Sequence, residues 1–241
     1  MKRLFDVIIS FLSLLLLSPL FSLVAFIVFL QDFHFPLYIA KRVGKNMVPF
    51  NMVKMRSMVY NADSNNVDST SADDRRITRI GNFIRKFKID ELTQLYNVLK
   101  GDMSLVGPRP NVQRDVDIYT REEKHLLSVH PGITDFSSII FSDEGEILEG
   151  SVDPDLKYNR LIRPWKSRLG LVYIDKKTFF LDFKLILITA LTLFSKQKAL
   201  IYITKMLEEL SVDPKIIEIS KRNKTLVPFP PPGMKEPVVS R

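Results

Sequence analysis

The chain has 241 residues, enough for one large or two small domains, and no cysteine, which excludes thiol nucleophiles, disulfides and cysteine-based metal sites. A formal net charge of +8 implies anionic partners, whether nucleic acid, anionic lipid or phosphorylated substrates, without choosing among them.

Leu4 to Leu30 is almost wholly apolar. A secretory signal would need a small-residue cleavage site, which is not evident, and the run is too long for one. It is long enough to span a bilayer, which takes about 20 apolar residues. Ser18-Pro19 falls mid-segment, where proline removes a backbone hydrogen bond and kinks a helix. Both flanks are basic, Lys2-Arg3 before and Lys41-Arg42 with Lys45 after, so both ends prefer the cytosolic face. A kinked, hairpin-like helix that enters and leaves one leaflet satisfies both facts. Each half, about a dozen residues, would reach ~18 Å, short of a ~30 Å hydrocarbon core. An ordinary spanning helix stays open.

Residues 32–36 read as an exit loop. Pro49 to Met58 alternates apolar and polar residues and suits a short strand, an edge strand with snorkelling cations in the plain interpretation. Asn61 to Asp74, rich in Asn, Asp, Ser and Thr, is a loop. Arg75 to Phe87 interleaves cations and apolar residues at helical spacing, with Ile77, Ile80, Phe83, Ile84 and Phe87 expected as a buried stripe.

The densest chemistry is Arg85-Lys86-Phe87-Lys88-Ile89-Asp90-Glu91-Leu92, continuing to Gly107-Pro108-Arg109-Pro110. Leu92, Leu95, Tyr96 and Leu99 share one face of a helix that Gly101 stops. Ordinarily an Asp-Glu pair at a helix start is a cap that complements the dipole. Here it stands among Arg85, Lys86, Lys88 and an Arg109 held by a stiff Gly-Pro turn. A carboxylate in that company suits attack on a phosphate ester, or metal-assisted binding of one.

Beyond it, Asn111 to Leu127 reads as a charged helix, Arg114 to Lys124 being mostly a solvated face. His125 and His130 lack acidic partners at metal-ligand spacing and read as structural. Asp153-Pro154 to Trp165 reads as a loop leading to a helix. Leu185 to Phe194 is too short to span and suits an interfacial or a core helix. Ile201 to Leu210 suits an amphipathic helix, and from Ser211 the proline-rich sequence reads as an extended tail. The fold class expected is α/β, predominantly helical with a few short strands. The divisions are 1–36, the membrane helix and its exit loop; 37–210, a globular catalytic domain with interfacial helices; and 211–241, the tail.

Asp90-Glu91, a Leu-rich helix and the unbroken Lys100–Pro110 segment resemble the bacterial sugar transferases, monotopic polyprenyl-phosphate phosphoglycosyl transferases. Lys54-Met55-Arg56-Ser57-Met58 resembles the family's Lys-Phe-Arg-Thr/Ser-Met box, with Met55 in the aromatic place. Pro131-Gly132-Ile133-Thr134 and Leu181-Asp182-Phe183-Lys184 match as well. After Thr134 the chain departs, with Asp135 to Glu144 where better-known members have Gly-Trp-Ala-Gln and then Gly-Arg-Asn. This segment is expected to help select the sugar or acceptor. The tail carries no resemblance.

The resemblance implies a re-entrant helix broken at Ser-Pro and a catalytic domain on the cytosolic face of the bacterial inner membrane. It implies transfer of a phosphosugar from a UDP-sugar to polyprenyl (undecaprenyl) phosphate, releasing UMP, as an early step of polysaccharide or glycoprotein glycan synthesis. Asp90 would be the nucleophile and a ligand of Mg2+, the expected cofactor. Glu91 is left three roles: orienting the acceptor phosphate, accepting a proton or completing the metal site. Arg85, Arg109, Lys54 and Arg56 would bind substrate phosphates. The partners are donor, acceptor and bilayer, without nucleic acid; a homo-oligomer is left open. The competing class is a membrane-anchored basic protein that binds nucleic acid or anionic lipid. It leaves Asp90-Glu91 unexplained and shows no recognised nucleic-acid module.

Overall fold

The structure, a computed structural model, describes residues 1–65 and 67–239. It opens with a 31-residue helix, α1 (Lys2–Asp32), that passes through Pro19. Proline has no N–H for the Leu15 carbonyl, and the Ser18 hydroxyl donates to that oxygen instead, at 2.8 Å. The Ser-Pro pair thus carries its own repair of the helix ladder. No residue from 11 to 23 is buried, whereas Asp6 and Ser10 near one end and Val24 and Val28 near the other are.

Both ends of α1 rest on the globular part. At the start, Lys2 pairs with Asp182 at 2.5 Å and donates to the Val106 carbonyl. Arg3 donates to the carbonyls of Val98 and Leu99, two of the orphan acceptors at a helix C-terminus. Asp6 accepts from the Ser104 hydroxyl at 2.8 Å. At the far end, Val24 and Val28 form a small core with Met55, Ile84 and Ile89. There Asp32 receives a two-pronged bond from Arg56, at 2.5 and 2.6 Å.

A hairpin follows, β1 (Leu37–Val43) antiparallel to β2 (Pro49–Met55), with Tyr38 opposite Lys54 and Ala40 opposite Met52. The edge of β2 would be an unpaired, sticky ladder. Side chains cover it instead: Thr93 donates to the Val53 carbonyl, and Asn97 accepts from Val53 N–H and donates to the Asn51 carbonyl. Thr93 lies just before α4 (Leu95–Lys100) and Asn97 within it, so α4 lies fixed against β2, with α2 (Arg79–Lys86) and α3 (Ile89–Leu92) preceding it.

The expected stripe in this region is only half buried. Ile84 is fully buried, but Phe83 and Phe87 are 55% and 43% exposed and stack on each other. Tyr96, expected on the inner face of α4, is likewise exposed, and the buried residues there are Leu95, Asn97 and Val98.

β3 (Ser104–Val106) pairs in parallel with β4 (Gly132–Thr134), joining the two glycine-proline turns back to back. A Cβ on Gly132 would fall 2.0 Å from the Gly107 nitrogen, so only glycine fits at this crossing. Gly132 N–H donates to the Pro108 carbonyl and Gly107 N–H to the Thr134 carbonyl, which locks the turn that carries Arg109.

The expected charged helix 111–127 is shorter and less solvated. α5 (Gln113–Asp117) stops after five residues, and a 3-10 turn covers Glu123–Ser128. Glu123 is fully buried and pairs with Arg163 at 2.6 Å. α6 (Phe136–Ile140), α7 (Glu144–Leu148), α8 (Pro154–Leu161) and α9 (Arg163–Lys176) complete the main core. α8 replaces the loop expected after Asp153, whose carboxylate caps it while Pro154 takes the first turn. α10 (Phe179–Thr192) buries Leu181, Leu185 and Ile188 and exposes Phe180, Phe183 and Leu187, so it is a core helix on one side and apolar outside on the other. α11 (Lys196–Glu209) contains most of the amphipathic helix expected over Ile201 to Leu210 and begins five residues earlier.

The tail is not extended throughout. α12 (Pro214–Ser220) forms with the same Asp-cap and proline start as α8. Farther on, Phe229 stacks on Trp165 with ring centroids 4.3 Å apart, and Arg168 donates to the Pro230 carbonyl.

Candidate active site

α2 ends at Phe87, and Lys88 takes a left-handed conformation, φ 56°, that turns the chain into α3. A non-glycine residue there stores local strain, on the order of 1 kcal/mol. The turn delivers Asp90 and Glu91 to the first turn of a helix backed by Ile89, which sits in the small core with α1. Thr93 and Asn97 hold that segment against β2, which brings Lys54 to the same place.

These side chains face a cavity of about 1050 Å3. Arg85, Lys88, Lys54 and Arg109 line it from three separate stretches of chain, and Arg42 and Lys166 join them. Lys54 and Arg85 have no hydrogen-bond partner among the described residues, so their charges are available to a ligand. Apolar Leu37, Ile39, Ile186 and Leu193 line another part of the wall.

Asp90 is 7% exposed, and its Oδ1 is buried without a hydrogen-bond partner among the described residues. Burial, and then neighbouring Glu91, push its carboxyl above the ordinary value, against the pull of Lys54, Arg85 and Lys88. Glu91 is the opposite case. Burial works against its charge, yet Arg109, Lys88 and Lys54 hold it well below the carboxylate range. Its Oε1 accepts from Arg109 at 2.6 Å. Glu91 in turn holds Arg109 above its ordinary value. Burial, aided by Arg109, draws Lys54 down to about 8. Two adjacent carboxylates thus carry different tasks: Glu91 is spent on fixing Arg109, and Asp90 keeps an uncommitted oxygen.

Arg56 is placed otherwise than expected. It is 7% exposed and lines the cavity, but its guanidinium is bound to Asp32 and to the Phe35 and His34 carbonyls at the end of α1. It ties the membrane helix to the site and has no fork left for a phosphate.

For a divalent ion, no group of three His, Cys, Asp or Glu residues able to cage it exists among the described residues. Mg2+ is commonly held by one or two carboxylates together with substrate phosphates. The Asp90 carboxylate, whose buried Oδ1 has no hydrogen-bond partner among the described residues, is a fitting protein donor for such a site.

The sequence did not single out Arg42 or Lys166 for the site, and it marked Glu144 only as the end of the Asp135–Glu144 segment expected to help select the sugar or acceptor. Arg42 had read as a flank of the membrane segment. Glu144 and Lys166 form an ion pair on the cavity wall that joins two helices 22 positions apart. Only the pairing would have revealed them.

A family model described as bacterial sugar transferase matches residues 1–196. A UDP-N-acetylgalactosamine-undecaprenyl-phosphate N-acetylgalactosaminephosphotransferase of Aeromonas hydrophila is 33% identical over 169 residues, 68% of this chain and 40% of the relative. An undecaprenyl-phosphate glucose phosphotransferase of Komagataeibacter xylinus is 40% identical over 200 residues, 76% of this chain and 35% of the relative. A UDP-glucose:undecaprenyl-phosphate glucose-1-phosphate transferase of Escherichia coli is 35% identical over 188 residues, 75% and 39%. The chain therefore spans between 35% and 40% of the length of these relatives.

Proposed function

The chain belongs to the bacterial sugar transferase family, and on that premise we propose that it transfers a phosphosugar from a UDP-sugar to polyprenyl phosphate through an aspartyl intermediate. The observation that carries this is Asp90: a nearly buried carboxylate whose Oδ1 has no hydrogen-bond partner among the described residues, facing a cavity lined by several cations, Lys54 and Arg85 among them.

Arg109, Arg85 and Lys54 bind the donor's diphosphate, and Glu91 keeps the Arg109 fork in place. The Asp90 carboxylate oxygen attacks the β-phosphorus, the bond from that phosphorus to the bridging oxygen breaks, and UMP leaves with the bonding pair. A phosphate oxygen of the polyprenyl acceptor then attacks the same phosphorus. The carboxylate is released, and polyprenyl-diphosphate-sugar forms. Asp90 would hold Mg2+, which would supply neutralising charge for the donor's diphosphate.

The anchor supports the same reading. The middle of α1 is exposed and apolar, while both its ends dock on one body, which favours entry and exit through one leaflet on the cytosolic face of the inner membrane. Because the chain has no cysteine, single cysteines placed at Met1 and Phe33 can be labelled cleanly. Both are expected to react only after cells are permeabilised; reaction of either with an external reagent excludes the one-leaflet arrangement.

The deciding experiment incubates purified protein with a panel of UDP-sugars, polyprenyl phosphate and Mg2+. UMP and a lipid-linked product are expected, with release abolished by a chelator. Salt-dependent nucleic-acid or lipid binding with no UMP from any donor would favour the anchored binding protein instead.

The pH dependence of kcat/KM tests the charges. Asp90 must be ionised, so activity falls as pH drops through its raised value. Lys54 must be protonated to hold phosphate, so activity also falls as pH rises through about 8. Lys54→Met is expected to erase the alkaline limb and move the acid limb to higher pH, since the lysine's charge opposes the rise at Asp90. An alkaline limb that survives unchanged would remove Lys54 from that role.

A further inference from the structure

Arg222 lies beyond the family match, yet it reaches the segment that forms one cavity wall. α11 and α12 are joined by a buried Thr204–Ser220 hydroxyl pair at 2.8 Å. The chain then turns at Arg222, φ 52°, whose guanidinium lies 5.3 Å over the Phe141 ring and pairs with Asp143 at 3.0 Å. Lys196 takes the same Asp143 oxygen at 2.5 Å. Asp143 and Arg222 are nearly buried while Lys196 is 36% exposed, so the Arg222–Asp143 contact is largely shielded from water.

The residue after Asp143 is Glu144, on the cavity wall. Its Oε2 accepts from Lys166, whose ammonium sits 5.5 Å over the Tyr158 ring. Its Oε1 has no hydrogen-bond partner among the described residues, and the side chain is 30% exposed. The next residue, Gly145, accepts a backbone hydrogen bond from Ala72 at 2.9 Å, which fixes the segment from its other side. Burial opposes the charge on Glu144, but Lys166, Arg109 and Lys88 hold its carboxyl below the ordinary value.

A fixed carboxylate is the wrong group for a phosphate, which it repels. Near Arg109, a phosphate-binding residue, it is the right group for O–H donors attached close to that phosphate. We propose that Glu144 selects the donor by accepting hydrogen bonds from its hydroxyl groups, and that Arg222 is a positioning residue that fixes Glu144 through Asp143. This rests on the phosphosugar-transfer reading. The hydroxyls belong either to the transferred sugar or to the ribose, and the test separates the two.

Donor affinity is measured by calorimetry without acceptor, alongside KM, kcat and UMP inhibition over the UDP-sugar panel. Glu144→Gln, close in shape, is expected to weaken binding of the preferred donor about tenfold or more and to flatten the ranking of donors, with kcat changed less. Unchanged inhibition by UMP assigns the hydroxyls to the sugar; inhibition weakened equally assigns them to the ribose. Arg222→Ala is expected to raise KM with kcat nearly unchanged, and Arg222→Lys to restore it, which keeps the test open if Glu144→Gln fails to fold. Donor affinity, ranking and UMP inhibition all within twofold of the parent in Glu144→Gln would overturn the proposal. Absence of UMP release from the parent protein would sink the transfer reading, whereas unchanged donor affinity in the variant sinks this one.

Discussion

Asp90→Asn is expected to lower UMP release by about 10^4-fold or more and, at the same time, to leave the protein as stable or more so. The amide lacks the anionic oxygen that attacks phosphorus, so a radiolabelled UDP-sugar should leave no covalent adduct on the variant. The stability half follows from the same geometry. Asp90 is 7% exposed, has an unpartnered buried Oδ1 and sits beside a second carboxylate. A buried group left in that state costs about 1–3 kcal/mol. Asparagine keeps an acceptor and removes the repulsion with Glu91. A chain of this length gains roughly 2–4 °C in Tm per kcal/mol. Retained turnover would show that Asp90 is not the nucleophile. A large fall in Tm would show that its charge is structural, held by Lys54 and Arg85 for folding.

Asp90, the proposed nucleophile, could be singled out from sequence because its surroundings are local. Arg85, Lys88 and Asp90 lie within six positions, and the glycine-proline turn that carries Arg109 is stiff by composition. What the sequence concealed depends on which solvent a face meets. Phe83 and Phe87 have core spacing, but bilayer and core are both apolar, and periodicity cannot separate them. They lie on α2, which packs against α1, and are exposed. The charged run from Arg114 to Lys124 read as solvated because the partner that buries Glu123, Arg163, is 40 positions away. Arg56 looked like a phosphate ligand for the same reason: Asp32 claims it across 24 positions. By contrast, the start of α12 was written plainly, as Asp213 followed by Pro214, and the proline-rich composition downstream masked it.

Arg109→Ala is expected to damage the fold and the chemistry separately, and a second substitution can tell the two apart. Removing the guanidinium takes away a charge-assisted contact to the diphosphate, a loss of about 10–100-fold in kcat/KM. It also strands Glu91, whose side chain is only 15% exposed and whose charge Arg109 stabilises from 2.6 Å. Breaking a buried pair costs about 3–5 kcal/mol; with Arg109 itself 31% exposed, about 2–3 kcal/mol is the better expectation. That corresponds to a Tm lower by roughly 4–12 °C. Glu91→Gln added to Arg109→Ala removes the stranded charge, so most of the Tm should return while activity stays low. Acid makes the same distinction. Glu91 is held below its ordinary value of 4.5, so the pair's stabilisation is present above that pH and fades as pH falls below it. The deficit of Arg109→Ala should therefore narrow in acid, as the stranded carboxylate takes up a proton. A double variant as unstable as the single one would mean that Arg109 supports the fold by packing rather than by answering Glu91. Recovered turnover in the double variant would mean that the donor's phosphates are bound elsewhere.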